Sequence, residues 1–222
     1  MNAASRPIGV FDSGIGGLSV LQALQNVLPH EHFVYLADNA HAPYGEKTDL
    51  QVRQRTHAIT EHLLNQHHIK ALVVACNTAT ALAIEGLRAE HADWPIVGVE
   101  PALKPAAALT RTGHVGVMAT RGTVKSERYS RLRQRLESGS DSPLHFSSQA
   151  CDGLADAIER DDKAAIQSLC KRYWEMLKTD REDLPAIDTL VLGCTHYLFA
   201  ADVIRALTGP EVALVETGVP VA

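Results

Sequence analysis

The strongest indication of the fold is LVVACNTAT at residues 72–80, where an apolar, β-branched run reaches Cys76 and a helical pattern follows at once. The arrangement recurs as LVLGCTHYL at residues 190–198, where the apolar run ends in Cys194. Short, uninterrupted apolar runs are typical of parallel strands that helices cover on both faces. Both stretches therefore predict a parallel strand that passes directly into a helix, with a thiol at the junction.

Apolar runs of this kind alternate with segments of helical length along the whole chain. This alternation is typical of an α/β protein with right-handed crossovers. The order of strand, polar turn and helix occurs twice, which predicts two pseudo-symmetric domains, each a mostly parallel sheet flanked by helices. The predicted strands are residues 8–11, 32–37, 71–76, 95–100, 114–119, 144–148, 189–194 and 212–217.

The repeat also suggests where the two domains begin and end. We predict a first domain of residues 1–99 plus 209–222, which takes back the last strand, and a second domain of residues 100–208. Ligands of open α/β sheets bind at the carboxyl ends of the strands. We therefore expect an active site in the cleft between the domains, with Cys76 on one wall and Cys194 on the other.

Composition excludes several classes of protein. The chain has 222 residues and a formal net charge of -5, and its Lys and Arg residues form no cluster suited to nucleic acid or anionic lipid. The longest apolar run, residues 71–76, is too short to span a bilayer, and the N-terminus has no signal-peptide pattern. Four cysteines without a C-x-x-C pair indicate a reduced compartment. We expect a cytoplasmic protein that binds neither nucleic acid nor membrane.

The glycine-rich stretch FDSGIGGLS at residues 11–19 has two readings. Its Gly-x-Gly start fits a dinucleotide-binding fingerprint, and Asp38 lies about 20 residues further on. Ser19 occupies the last glycine position, however, and Asp12 would repel a pyrophosphate, so nucleotide binding is disfavoured. The alternative is a tight turn that directs Asp12 and Ser13 into the cleft beside free helix N–H groups, although Asp12 as a mere helix cap stays open.

Two thiols at strand-to-helix junctions suggest acid/base chemistry. Free N–H groups and the helix dipole stabilise a thiolate at such a junction. One thiolate can remove a proton from carbon while the other thiol delivers one to the opposite face, which inverts the carbon centre. Asp12 is the candidate shuttle for Cys76, and His196 is the candidate shuttle for Cys194. A Cys–His hydrolase remains an alternative, but it leaves the second thiol unexplained.

The remaining polar features are weaker indications of function. Cys170 lies on an apolar helix face and is expected to be a small buried hydrophobe. Cys151 follows a predicted strand and is expected near the cleft without a catalytic role. The loop DNAHAPYGE at residues 38–46 predicts an ordered polar loop over the same face. We find no convincing set of metal ligands and expect no metal.

Six motifs in combination resemble those of the glutamate racemases, a family of the aspartate/glutamate racemase superfamily. The resemblance implies two α/β domains with pseudo-twofold symmetry and the active site between them. It implies interconversion of L- and D-glutamate without a cofactor, a supply of D-glutamate for peptidoglycan, and a homodimer. The motifs, in order from about residue 7, are VFDSGIGGLSVL, DNAHAPYGEK, VVACNTAT, GVEPALKPA, ATRGTVKS and VLGCTHYL.

The resemblance also implies roles for residues at matching positions. Cys76 and Cys194 match the two acid/base thiols, and Glu159 matches a carboxylate near the second thiol. Asp12 and His196 fall in both the catalytic and the substrate-binding sets. The substrate-binding positions are Asp12, Ser13, Pro43, Tyr44, Gly45, Asn77, Thr78, Thr123, Thr195 and His196.

The chain departs from the family pattern at several positions. Asp152 stands where a proline often follows the cysteine, and Glu216, Thr217 and Gly218 stand where a second DSG is usual. The sequence ends at Ala222, where relatives usually continue with a helix that covers the first domain. Two other functions stay open: a racemase for aspartate or another amino acid, and a non-catalytic amino-acid-binding protein.

Overall fold

The structure, a computed structural model, describes residues 5–180 and 183–217. Within these ranges the chain forms two parallel sheets of four strands, each flanked by helices. The predicted α/β class is confirmed, and each predicted apolar run overlaps one observed strand. None of the helices in these ranges is both long enough and apolar enough to cross a membrane.

The first half of the molecule is built on the sheet with strand order β2-β1-β3-β4. Its strands are β1 (Ile8–Asp12), β2 (Phe33–Ala37), β3 (Ala71–Val74) and β4 (Ile96–Gly98). Its helices are α1 (Leu18–Val27), α2 (Asp49–His67) and α3 (Asn77–Glu90), with short 3₁₀ helices at Asn39–His41 and Tyr44–Glu46.

The second half repeats this topology with strand order β6-β5-β7-β8. Its strands are β5 (His114–Ala119), β6 (His145–Ala150), β7 (Thr189–Gly193) and β8 (Ala213–Val215). Its helices are α4 (Leu103–Leu109), α5 (Arg121–Lys125), α6 (Glu127–Ser138), α7 (Leu154–Glu159), α8 (Lys163–Asp180) and α9 (Ala201–Thr208), with a 3₁₀ helix at Thr195–Ala200. The matching strand orders confirm the pseudo-symmetry that the sequence repeat predicts.

Successive residues of β1, one of the two central strands of the first sheet, enter different cores, as expected for a sheet covered on both faces. Val10 belongs to a cluster with Val20 and Leu24 of α1. Phe11 belongs to a second cluster, which includes Val52 of α2. Both strand residues are fully buried. This packing explains why consecutive positions of the run are apolar.

The predicted return of the last strand to the first sheet is wrong. Strand β8 pairs in parallel with β7, with Ala213 opposite Thr189, so it belongs to the second sheet. The physical reason is the short connection: α9 ends at Thr208, and the few residues before β8 favour a neighbouring position in the same sheet. Residues 218–222, which the predicted first domain included, lie outside the described residues.

Polar residues follow the two central strands of both sheets. Asp12 is the last residue of β1, Cys76 follows β3, Thr120 follows β5 and Cys194 follows β7. Because all paired strands are parallel, these residues lie at the carboxyl edges of their sheets. The fold therefore positions both predicted thiols at the edges where ligands of such sheets bind.

Candidate functional site

Direct hydrogen bonds join the carboxyl edges of the two sheets. The Thr195 hydroxyl donates to Asp12 Oδ2 at 3.0 Å. The backbone N–H of Ile15 donates to Glu159 Oε1 at 2.8 Å. These contacts bring the glycine-rich loop together with Thr195 of the second cysteine motif and with Glu159, which the resemblance placed near the second thiol.

The first thiol lies beside a hydroxyl and a carboxylate. Cys76 is the N-cap of α3, where its sulfur accepts from the Ala79 N–H at 3.5 Å. Cys76 Sγ lies 3.7 Å from Ser13 Oγ, and Ser13 Oγ donates to Asp12 Oδ1 at 3.2 Å. Burial, reinforced by the charge of Asp12, raises the pKa of Cys76 well above its usual value. Cys76 is therefore a neutral thiol connected to Asp12 through Ser13.

Asp12 is a fully buried carboxyl group with several partners. Burial raises its pKa, while the positive charge of His196 and hydrogen bonds from Thr195 and Ser13 oppose that rise. Ser13 supplies its backbone N–H to Oδ1 at 2.6 Å as well as its hydroxyl. A carboxyl group held in this way can accept from a cationic group that enters the site, or exchange a proton through Ser13.

The second thiol lies beside a charged pair. His196 Nδ1 is 3.7 Å from Cys194 Sγ, and His196 Nε2 is 2.5 Å from Glu159 Oε1. Burial alone would lower the pKa of His196, but its hydrogen bonds with Cys194 and Glu159 raise the pKa to about 11. The same His196 contact lowers the pKa of Glu159. An imidazolium–carboxylate pair therefore stands next to Cys194 at neutral pH.

The glycine-rich loop is needed for close approach between the two halves. A Cβ atom on Gly14 would lie 1.7 Å from Glu159 Oε1, and one on Gly16 would lie 2.5 Å from Thr195 Oγ1. The backbone of this loop therefore packs directly against side chains of the second half. In a dinucleotide-binding site, the acidic residue about 20 positions after the glycines binds the ribose. Here the carboxylate at that position, Asp38, is instead held by Arg55 in two hydrogen bonds of 2.9 and 3.0 Å. Both observations weigh against dinucleotide binding.

The loop at residues 38–46 is ordered by a network that the sequence did not reveal. Tyr44 is buried, and its hydroxyl donates to Asp38 Oδ2 at 2.7 Å. Pro43 is the N-cap of the 3₁₀ helix Tyr44–Glu46, and Gly45 packs closely against Thr120 of the second half. Asp38, together with Arg55, therefore anchors the three predicted binding residues of this loop. An acidic residue at a strand end, six positions before a tyrosine, was the available signal.

Asn77 is the predicted binding residue whose side chain is best placed to bind a polar ligand. Its side chain is 2% exposed, and within the described part of the chain neither its amide nitrogen nor its amide oxygen has a hydrogen-bond partner. Leaving a buried polar group unpaired costs about 1–3 kcal/mol. Unpaired buried groups in a native fold call for an explanation, and a polar ligand that binds the amide supplies one.

Three threonine hydroxyls form a further link between the halves. Thr78 Oγ1 lies 2.9 Å from Thr120 Oγ1, which in turn lies 3.0 Å from Thr123 Oγ1. Thr78 and Thr123 were predicted as binding residues, whereas Thr120 was missed. Its position directly after β5, equivalent to that of polar residues after the other central strands, was the signal that could have found it.

The other cysteines take structural positions. Cys170 is buried in the core of the second half, as predicted. Cys151 is also buried there, and its Sγ donates to the Gln149 carbonyl oxygen at 3.4 Å. In residues 5–180 and 183–217 there is no group of three or more His, Cys, Asp and Glu side chains that could hold a metal ion. The expectation of metal-free chemistry stays a prediction.

Comparison with known proteins identifies the family. The family described as Asp/Glu/Hydantoin racemase matches residues 8–221. The chain belongs to this family, and it is an isomerase of the racemase class. A glutamate racemase from Ectopseudomonas mendocina is 48% identical over 224 residues, covering 100% of this chain and 81% of the relative. One from Methylococcus capsulatus is 46% identical over 228 residues, covering 100% and 79%.

Solved structures give the same result. The Escherichia coli glutamate racemase, in complex with L-glutamate and the activator UDP-MurNAc-ala, has a TM-score of 0.83 and 35% identity, covering 97% of this chain and 79% of that chain. The Francisella tularensis glutamate racemase, in complex with D-glutamate, has a TM-score of 0.78 and 28% identity, covering 97% and 77%. The resemblance to glutamate racemases found in the sequence is confirmed.

Proposed function

We propose that this racemase interconverts L- and D-glutamate, with Cys76 and Cys194 as its two acid/base groups. The observation that carries the proposal is that both thiols belong to one buried polar site, each beside its own proton carrier. Cys194 contributes electrostatically to the raised pKa of Cys76, which supports their sharing one site. Similarity to glutamate racemases, two of them solved with a glutamate enantiomer, supports the choice of substrate.

The proposed reaction conserves atoms and charge. One cysteine thiolate forms an S–H bond with the α-proton, and the electron pair of the broken C–H bond stays on the substrate, delocalised into its carboxylate. The other cysteine gives its thiol proton to the opposite face of Cα. The two sulfurs have then exchanged protonation states, and proton transfer through Ser13 and Asp12 on one side and His196 on the other restores them.

Electrostatics lower the barrier to removing a weakly acidic proton. The reacting groups are excluded from water, and in such a setting fixed charges act strongly on developing charge. The imidazolium of His196, kept charged by Glu159, offsets the negative charge that forms on the substrate. Asp12 accepts from the α-ammonium group and balances the positive charge there.

Glutamate presents one ammonium and two carboxylates, so the site must offer several donors and one strong acceptor. The unpaired amide of Asn77 is the best-supported donor, because substrate binding would satisfy it. Glu159 acts on His196 and not on the substrate. The other proposed contacts come from the hydroxyl groups and loop residues at the edge of the site, namely Ser13, Pro43, Tyr44, Gly45, Thr78, Thr123 and Thr195.

The decisive experiment follows optical activity and solvent deuterium. Parent protein is expected to abolish the circular dichroism signal of L-glutamate and to place deuterium at Cα from either enantiomer. Cys76→Ser and Cys194→Ser should each lower racemisation by more than about 1,000-fold, as expected for loss of a general acid/base group. Cys170→Ala, which removes the buried thiol of α8, is the control and should racemise at the parent rate. Racemisation by either serine variant at the parent rate would refute the two-thiol scheme.

The same assays separate the alternatives. Racemisation of aspartate but not glutamate would identify a different amino-acid racemase, since one methylene changes binding by only about 1–3 kcal/mol. Binding of glutamate without deuterium at Cα would identify a non-catalytic binding protein. Asn77→Ala should abolish the rise in melting temperature that glutamate causes in the parent, because the proposed ligand contact is gone.

The proposal extends to the cellular role. We assign the enzyme to the supply of D-glutamate for peptidoglycan, and so to cell wall biogenesis and cell shape, in the cytoplasm. Cys76, Cys151, Cys170 and Cys194 are free thiols, which suits a reducing compartment. Depletion of the protein in its host should produce D-glutamate auxotrophy. The proposed homodimer is tested by sedimentation, in which a single monomer species would contradict it.

A further inference from the structure

Tyr35 contacts the candidate site but belongs to none of the predicted residue sets. It lies on β2, opposite Val10 of β1, and is partly buried. Its hydroxyl donates to the Gly14 carbonyl oxygen at 2.6 Å. Burial raises the pKa of Tyr35, and the negative charges of Asp12 and Glu159 raise it further. Tyr35 is therefore a neutral donor directed at the glycine-rich loop.

The Gly14 carbonyl and the Ile15 N–H are the two ends of one peptide unit. The carbonyl end accepts from Tyr35, while the N–H end donates to Glu159 Oε1 at 2.8 Å. That same oxygen lies 2.5 Å from His196 Nε2. A continuous series of contacts thus runs from the Tyr35 hydroxyl across one peptide to the carboxylate and imidazole that stand beside the second thiol.

We propose that Tyr35 is a positioning residue for the Cys194 side of the reaction, an inference that rests on the proposed racemase function. By holding the Gly14–Ile15 peptide in one orientation, it directs the Ile15 N–H at Glu159 and keeps Glu159 against His196. A peptide unit is planar and rigid, so fixing its oxygen also fixes its N–H direction. A hydrogen bond at the oxygen further polarises the unit and strengthens its N–H as a donor.

Space around Glu159 supports this role. Gly14 lies so close that an added Cβ would meet Glu159 Oε1 at 1.7 Å, so the peptide itself forms a wall of the carboxylate site. The titratable groups that face the carboxylate are His196 from the 3₁₀ helix after β7 and Tyr35 from β2, while Asp12 acts on His196. Contact with His196 and the Ile15 N–H both lower the pKa of Glu159 against the opposing effect of burial.

Tyr35→Phe removes the hydroxyl and keeps the ring. We expect kcat to fall about tenfold with KM changed less than about twofold, the scale of one lost hydrogen bond to a reacting network. The acid limb of the kcat/KM profile should move to higher pH, because a weaker Ile15 N–H donor leaves the carboxyl group of Glu159 easier to protonate. Tyr129→Phe, which loses a hydroxyl contact with Ser148 outside this series, should retain the parent profile.

Two measurements separate positioning from a general structural effect. In a Glu159→Gln background, Tyr35→Phe should cost less than about twofold, because residues that act through one another are non-additive. Without substrate, the ¹³C carboxyl signal of Glu159, assigned by its loss in Glu159→Gln, should titrate at higher pH in Tyr35→Phe than in the parent.

An additive loss in the double variant, or an unchanged Glu159 titration, would overturn the inference. The carboxyl titration needs no turnover, so it reports on Tyr35 even if the parent fails to exchange the α-proton of glutamate. Such a failure would refute the proposed function alone.

Discussion

Thr195 and Asp12 lie 183 positions apart in the chain, yet the Thr195 hydroxyl donates to the Asp12 carboxylate at 3.0 Å. Asp12 ends a central strand of the first sheet, and Thr195 follows a central strand of the second. Both side chains are buried. This bond therefore joins the two halves beside the proposed acid/base thiols, and it opposes the burial that raises the pKa of Asp12.

Replacing Thr195 by valine keeps the side-chain shape and removes the donor. We expect the unfolding free energy to fall by about 1–3 kcal/mol, because Asp12 loses a buried partner, and kcat/KM to fall at least about tenfold. Urea unfolding and the racemisation assay measure the two effects. Thr60→Val is the control, because its buried hydroxyl contacts the Thr56 carbonyl within α2; it should leave kcat/KM unchanged. Equal kcat/KM in Thr195→Val and Thr60→Val would contradict this prediction.

The Glu159–His196 pair gives stability a defined pH dependence. The folded-state pKa of His196 is raised from 6.5 to about 11, so its contribution is complete below pH 6.5 and declines as pH rises toward 11. The pKa of Glu159 is lowered from 4.5, so its contribution is complete above pH 4.5 and declines on acidification.

The pair should therefore stabilise most between pH 4.5 and pH 6.5. The difference in unfolding free energy between the parent and His196→Gln should shrink when urea unfolding is repeated at about pH 10. A difference that grows with pH would show that the imidazole is neutral in the folded protein.

Two glycine substitutions should have opposite effects. In Gly16→Ala the new methyl group would lie 2.5 Å from Thr195 Oγ1 and 2.6 Å from His196 Nδ1, so activity should be lost. In Gly86→Ala the nearest atom is 3.8 Å away, on His57, and the position is inside α3. That variant should be more stable by about 0.5–1 kcal/mol and fully active, because alanine favours a helix interior. Full activity in Gly16→Ala would contradict this prediction, because it would show that the loop moves to accommodate the methyl group without loss of function.

Glu46 makes a contact that holds the halves together outside the reacting groups. Its Oε1 accepts from the Gly153 N–H, just before α7, at 2.7 Å. In Glu46→Ala the halves should separate more often, and iodoacetamide should modify Cys76 and Cys194 about fivefold faster. Mass spectrometry of the labelled peptides measures the rates. Asp49 is a nearby exposed carboxylate at the start of α2, and Asp49→Ala should be labelled at the parent rate. Equal labelling rates in the Glu46→Ala and Asp49→Ala variants would show that the Glu46 contact does not hold the halves together.

Much of the architecture follows from local sequence. Apolar runs without interruption defined the parallel strands, and polar residues just after them identified Asp12, Cys76 and Cys194 as residues of the carboxyl edges. The last strand was assigned to the wrong sheet because its residues look the same in either position. The short connection from α9 and the equivalent position of β4 in the first sheet both favour the second sheet, and the prediction used neither.

Two of the site residues that the sequence missed share one property. Tyr35 and Arg55 act through partners distant in the chain, one on the Gly14 carbonyl and the other on Asp38. No pattern of spacing reports such contacts, since they arise only when strands and helices come together. Thr120 was different, because its position after a central strand was visible in the sequence.

The side chains to which we assign the reaction are enclosed almost completely: Asp12 is 0% exposed, Cys76 4% and Cys194 7%. Because the bonds from Thr195 to Asp12 and from Ile15 to Glu159 join the two halves beside these groups, we expect them to open when a substrate enters or leaves. Each turnover then includes a separation of the two halves, and the rate of that separation depends on solvent viscosity. An inhibitor that filled the enclosed space and strengthened those bonds would owe its potency to slow escape, so residence time would rank such compounds better than affinity alone.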